Sequence, residues 1–157
     1  MEEVPAVGGA AWQEALERLG VLVGEWVVEA DFADPDVPAG RSVFAWDLDG
    51  RFLVQRTEIP VAGAPDSMAV IAVDPESGAY TYHYFDSRGV VRTYAMRFDG
   101  VEWLLLRETA DFSPLSFRQR FVGRVGDGVI QGVWELAKDE SAPWERDFGL
   151  TYRRSGR

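Results

Sequence analysis

From Ala79 to Glu108 the chain alternates apolar and polar residues with period two. The stretch forms three runs, broken at Asp86-Ser87-Arg88-Gly89 and at Asp99-Gly100. Successive side chains of an extended chain point to opposite faces, so such runs predict half-buried strands. Asp99-Gly100 has the residue types of a two-residue type I′ turn, in which both positions need positive φ. That turn pairs Phe98 with Val101, Met96 with Trp103, Tyr94 with Leu105 and Arg92 with Arg107. A four-residue turn at 86–89 pairs Phe85 with Val90 and His83 with Arg92. One face then carries Phe85, Val90, Tyr94, Met96, Phe98, Val101, Trp103 and Leu105, with His83, Arg92 and Arg107 among them. The other carries Tyr80, Tyr82, Tyr84, Thr93, Leu104 and Leu106. The first face is expected to point inward. A slip of one residue in either turn would exchange the faces of a strand.

The pattern continues on both sides. Residues 1–9 are expected to be a loose arm and 10–157 a single domain. Trp12, Ala15, Leu16 and Leu19 follow helical spacing, which predicts a helix over 10–20 with Gly20 as its stop. A strand follows with Trp26, Val28, Ala30 and Phe32 on one face. Asp34-Pro35 and Pro38-Ala39-Gly40 form a loop. Strands at 41–48 and 51–59 flank Asp49-Gly50, with Phe44 opposite Gln55, Trp46 opposite Leu53, Ser42 opposite Thr57 and Arg41 opposite Glu58. Ser67–Val73 is nearly all apolar, so alternation does not orient it. After a loop over Thr109–Pro114, Leu115–Val125 and Val129–Lys138 pair across Asp127-Gly128. Phe121 then faces Trp134, Gln119 faces Leu136 and Arg120 faces Glu135. A last strand at 147–153 has Phe148, Leu150 and Tyr152 on one face. Three hairpins each place an opposite-charge pair on one face (Arg41–Glu58, Arg97–Glu102, Arg120–Glu135) and most of their large aromatics on the other, which marks the wet side. About ten antiparallel strands in meander order, with one short helix before them, predict an all-β, closed up-and-down barrel, because closure removes unpaired edges. Barrels of this size hold side chains or one small ligand.

Composition narrows the functional classes. The chain has 157 residues, enough for one domain with a substantial core, and 13% of them are aromatic. Its formal net charge of −10 works against nucleic acid and anionic membrane as partners, since both call for a basic face. There is no cysteine, which removes disulfides, thiol nucleophiles and zinc–thiolate sites and agrees with a cytoplasmic location. No apolar run of about 18 residues is present, and the acidic start MEEVPAVGGAAW lacks the basic region and apolar stretch of a signal peptide.

Gly24-Glu25-Trp26 after a short helix resembles the Gly-x-Trp lead-in to the first strand of lipocalins. Tyr152-Arg153-Arg154 at the end of the last strand is similar to the calycin pattern in which a terminal Arg packs over that Trp. FDSRGVVRTY, FRQRFVG and WELAKDESAPWERDFGLTYRR look like blocks of a bacterial lipocalin-like family, in the same order. The resemblance covers residues 12–154. It implies the calycin fold, distantly similar to nitrobindins and fatty-acid-binding proteins, and implies no particular activity. Nitrobindins hold haem through a His on a late strand. Phe148-Gly149-Leu150-Thr151-Tyr152 has none, so no cofactor is expected. Fatty-acid-binding proteins grip a carboxylate with Arg-x-Tyr near the C-terminus, where this chain has Leu150-Thr151-Tyr152, so another Arg would have to hold an anion.

The candidate chemistry lies on the inward face. Buried guanidiniums keep their charge and need a counter-charge, from a ligand or from an internal carboxylate, unless they reach water at the rim. Glu102 and Glu108 fall on the outer face, which points to an anionic ligand at Arg92. The expected ligand-binding set is His83, Arg92, Tyr94, Trp103, Arg107, Gln55, Gln119, Trp46 and Trp134, with no metal site. No Ser–His–Asp triad is readable, because Asp86, three residues from His83, is on the opposite face. The expected function is binding of a small hydrophobic or amphipathic, anionic ligand inside the barrel. One alternative is a cofactor-free isomerase or cyclase using His83 or a Tyr as acid or base. Another is a filled barrel that binds protein, or a second copy of itself, through an exposed Tyr80, Tyr82 and Tyr84 row.

Overall fold

A computed structural model describes residues 8–32, 36–111 and 115–155. The expected arm at 1–9 therefore lies outside the described residues except for Gly8 and Gly9. Asp34-Pro35 and part of the Thr109–Pro114 loop lie outside them too. The chain begins with helix α1 (Ala10–Arg18), which runs into a 3₁₀ turn at Leu19–Leu22. Gly20 does not stop the helix; it tightens into the 3₁₀ turn, where Val23 N–H donates to the Gly20 carbonyl at 3.2 Å. Trp12, Ala15, Leu16, Leu19 and Leu22 form its buried stripe.

Ten strands follow: β1 (Gly24–Ala30), β2 (Gly40–Asp47), β3 (Phe52–Glu58), β4 (Ser67–Val73), β5 (Tyr80–Asp86), β6 (Val91–Phe98), β7 (Glu102–Arg107), β8 (Arg118–Gly126), β9 (Val129–Ala137) and β10 (Glu145–Arg154). Each pairs antiparallel with its chain neighbour, and β10 returns to β1, so the sheet closes. The architecture is an all-β, closed, ten-stranded up-and-down barrel with one short N-terminal helix, consistent with a calycin-like fold.

Two hairpin registers follow the sequence reading. Phe44 pairs with Gln55 and Arg41 with Glu58; Phe121 pairs with Trp134 and Arg120 with Glu135. Asp127 and Gly128 both have positive φ, 53° and 72°, as a type I′ turn requires. The Asp99-Gly100 turn differs. Gly100 has positive φ but Asp99 does not; the Asp99 carboxylate instead accepts the Val101 and Glu102 backbone N–H groups at 2.9 and 2.7 Å. The loop lengthens by two residues, Phe98 pairs with Trp103 and Met96 with Leu105, and the strand side chains keep their faces, while Val101, expected inward, falls in the turn and is exposed.

The turn between β5 and β6 changes faces. Phe85 pairs with Val91, Tyr84 with Arg92 and His83 with Thr93, so the turn holds one residue more than expected. Asp86 organises it: its carboxylate accepts the Arg88 backbone N–H at 2.9 Å, its own N–H donates to the Val90 carbonyl at 3.1 Å, and Gly89 takes φ 84°. A one-residue shift is an odd shift, so β5 turns over. Tyr80, Tyr82 and Tyr84 face inward, and His83 and Phe85 face outward. The inward location expected for His83 is thereby corrected, as is the surface location of the Tyr row.

The ion pairs also rearrange. Arg120–Glu135 forms at 2.8 Å, while Arg41 bonds Glu25 and Glu102 bonds Arg124 instead of Glu58 and Arg97.

Candidate functional site

The up-and-down order sorts inward side chains by height. At the helix end, Tyr80 donates its hydroxyl to the Ala15 carbonyl at 2.6 Å. Around it the lining is apolar and buried, with Trp26, Leu53, Ile71, Phe98 and Ile130. At the other end the same strands bring up Thr57, Tyr84, Arg92, Gln119, Trp134 and Leu150, which are only half-buried. This polar, aromatic mouth holds a charged side chain with unused hydrogen-bonding capacity, Arg92.

Arg92 stands on β6 opposite Tyr84 of β5. Its Nη1 lies 3.4 Å from Oε1 of Gln119, which also accepts the Tyr94 hydroxyl at 2.8 Å. The Arg92 Nε is buried and has no partner. Among the described residues, no carboxylate forms an ion pair with Arg92. Trp134 flanks Tyr94 with ring centroids 5.7 Å apart.

Arg107 is solved differently. It is 3% exposed, and Asp111 takes its guanidinium fork on fork, Nε to Oδ2 at 2.9 Å and Nη2 to Oδ1 at 3.0 Å. Oδ2 of Asp111 also accepts the Thr93 backbone N–H at 2.9 Å. The counter-charge for Arg107 is thus internal. Asp111 escaped the sequence reading because it lies beyond the end of β7, where alternation no longer says which way a side chain turns. Hydrogen bonding to Asp111 pushes the Arg107 pKa up despite burial.

Gln55 is likewise held by the protein. It donates to Ser42 Oγ at 3.0 Å and accepts the Tyr82 hydroxyl at 2.7 Å. Ser42 in turn lies 3.0 Å from Thr57 Oγ1. Trp103 sits in the core with its indole Nε1 buried and unpartnered. Trp46 is 37% exposed near the β2–β3 turn, at the helix end and away from Arg92. His83, on the outer wall, lies with Nε2 2.9 Å from Thr81 Oγ1. The structure therefore gathers Arg92, Tyr94, Gln119 and Trp134, places Arg107 beside them with Asp111 attached, and separates His83 and Trp46 from them. Tyr84, assigned outward in the sequence reading, joins the site. Three tyrosines at period two were a stronger inward signal than the single imidazole between them.

Tyr84 donates its hydroxyl to Asp86 at 2.9 Å, and Asp86 is paired with Arg88 at 2.7 Å. Burial alone would raise the Asp86 carboxyl. The Arg88 guanidinium, the Arg88 N–H and the Tyr84 hydroxyl outweigh it and hold the pKa at about 2. Burial, reinforced by the bond to Asp86, pushes the Tyr84 phenol up; burial also raises Tyr94, against the pull of Arg92 and Arg107. Both phenols are therefore proton donors near neutrality.

Two solvent-open depressions lie elsewhere. One, of about 350 Å³, covers Leu48, Phe52, Val54, Met68 and Val70 on the outer wall; the other, of about 420 Å³, lies beside the β6–β7 turn at Asp99, Glu102 and Leu104. Neither includes Arg92. Among the described residues no three His, Asp or Glu side chains cluster as metal ligands. Among the described residues no helix is long and apolar enough to cross a membrane.

The fold and mouth define a small closed barrel with a cationic, aromatic opening. No protein-family model matches the chain, and no curated protein matches it.

Proposed function

We propose that this protein binds a small amphipathic anion at the mouth of its barrel, with Arg92 as the cation that holds it. The observation that carries the reading is the buried, unpartnered Nε of Arg92 beside a neighbour, Arg107, whose charge is already matched. A half-buried guanidinium without a counter-ion among the described residues favours any carboxylate that can reach it, and its planar fork suits bidentate binding. Tyr84 and Trp134 give the site apolar walls. The contact of Arg154 over Trp26, 4.3 Å from guanidinium carbon to ring centroid, agrees with a calycin-like barrel, an architecture with room for side chains or one small ligand.

A filled barrel that works through its outer wall is the second reading. The close ring packing below the mouth supports it, and the apolar depression over Val54 and Val70 is where a partner, including a second copy, would sit. An isomerase-type enzyme finds less support. His83 is outside, and the carboxylate beside the raised Tyr84 phenol, Asp86, is held at a pKa of about 2 by Arg88 and is a weak base.

Calorimetric titration with carboxylates of graded size tests the choice. Arg92→Ala is expected to weaken binding by about 2–5 kcal/mol, as for a buried charge losing its partner, and Arg97→Ala, on the outer wall, to leave it unchanged. Equal effects of the two substitutions would overturn the reading. No binding by the intact protein would leave the filled barrel.

A further inference from the structure

We infer that the mouth selects a short, flat carboxylate and rejects long aliphatic acids. This rests on the mouth-binding reading and adds the class of ligand. The reason is what lies directly beneath Arg92. Six strands contribute one ring each to a plug across the lumen. Tyr94 meets Trp134 at 5.7 Å between centroids, Trp134 meets Phe121 at 5.2 Å, and Phe121 meets Trp103 at 5.3 Å. Trp103 then touches Phe44 at 6.1 Å and Tyr82 at 6.3 Å, and Tyr82 closes back on Tyr94 at 5.8 Å. A polymethylene chain entering the lumen would have to part these edge-to-face and tilted contacts.

The rings are also anchored. Phe121 lies so close over Gly132 and Gly123 that a Cβ on either would stand 2.2 or 2.7 Å from it, so its ring is pressed against the wall. Tyr82 and Tyr94 are tied through their hydroxyls to Gln55 and Gln119. Parting the plug would strand those buried polar groups as well as lose packing. A long tail therefore has nowhere to go but out into water. A flat acid needs no such opening. Its carboxylate reaches Arg92, and its ring lies between the half-buried Tyr84 and Trp134, which present aromatic surface of the right kind for offset or edge contacts.

The test uses the whole protein and three probes, 2-naphthoate, its neutral amide 2-naphthamide, and hexadecanoate below its micellar concentration, read by calorimetry and tryptophan fluorescence. Naphthoate is expected to bind at least about tenfold more tightly than hexadecanoate, the scale of forcing extra volume into a packed core. It should also exceed naphthamide, and Arg92→Ala should weaken it at least about thirtyfold. Arg92→Gln, closer in shape, gives the same readout should the alanine variant not fold. Hexadecanoate binding as tightly as naphthoate, and lost in the Arg92 variant, would overturn the size selection while leaving the mouth-binding reading intact. If no probe binds, or all bind the Arg92 variant unchanged, the mouth-binding reading falls and this inference with it.

Discussion

Trp26 and Arg154 join the two ends of the chain. Trp26 is fully buried, and its indole donates to the Leu22 carbonyl at 2.9 Å. Above it, Arg154 stacks on the ring and donates to the Val21 and Val23 carbonyls, satisfying the open end of the 3₁₀ turn. Gly24 makes room: it has φ 130°, and a Cβ there would stand 2.7 Å from the Arg154 guanidinium. The spacing Gly24-Glu25-Trp26 thus has a steric cause. Trp26→Ala should cost roughly 3–5 kcal/mol, and Arg154→Ala roughly 0.5–2 kcal/mol as a cation–π contact; urea unfolding measures both, and a loss below about 1 kcal/mol for Trp26→Ala would contradict its structural role. Asp86 gives a pH signature. Its carboxyl falls from an ordinary 3.8 to about 2 in the folded protein. A depressed carboxyl stabilises the fold above the unfolded value and loses that contribution as pH falls toward the folded one. The stability difference between wild type and Asp86→Asn should be constant from neutrality down to about pH 4 and narrow between about pH 4 and pH 2. A difference that stays flat through that window in thermal melts would show that the pairing with Arg88 contributes nothing linked to protonation.

Strands β8 and β9 show how an element is shaped by one ring. Gly123 and Gly132 face each other across the pair, and Phe121 fills the space that two side chains would have taken. Gly132→Ala should destabilise the barrel by about 1–3 kcal/mol through overpacking. The same substitution made in a Phe121→Ala background should cost much less, since the clash is gone. A double-mutant cycle by urea unfolding measures the coupling, and strict additivity would mean that the ring does not rest on Gly132. Strand β5 makes the complementary point. Its facing is set by a turn of odd length, and the tyrosine hydroxyls then find partners inside, Tyr80 on Ala15, Tyr82 on Gln55 and Tyr84 on Asp86. His83, on the outer face, is left with a neighbour on its own strand.

At the scale of the molecule, closure between β1 and β10 removes the two edges that an open ten-stranded sheet would expose. That seam runs from Trp26–Arg154 to Ala30–Leu150. Deleting residues 145–157 should expose both β1 and β9 and also remove the Arg154 contact. The truncated chain is expected to aggregate or lose its tertiary signal, followed by size-exclusion chromatography and near-ultraviolet circular dichroism. A soluble monomer with the intact protein's aromatic spectrum would mean that closure is dispensable.

The barrel itself was legible in the residues. Period-two runs, Asp-Gly turns and the helical stripe from Trp12 to Leu19 specify about ten strands and one short helix, because each is a local pattern with a local cause. Two registers, at Asp49-Gly50 and Asp127-Gly128, followed for the same reason. The mouth was legible only in part. Arg92, Tyr94, Gln119 and Trp134 came from alternation within single strands. The faces of His83 and Tyr84 depended on whether one turn holds four residues or five, and local propensity is nearly indifferent to that choice. It was decided by which side chains the closed barrel could bury with their hydroxyls satisfied. The pairing of Arg107 with Asp111 and the absence of such a partner for Arg92 among the described residues are likewise facts of distance in three dimensions, which no spacing along the chain encodes.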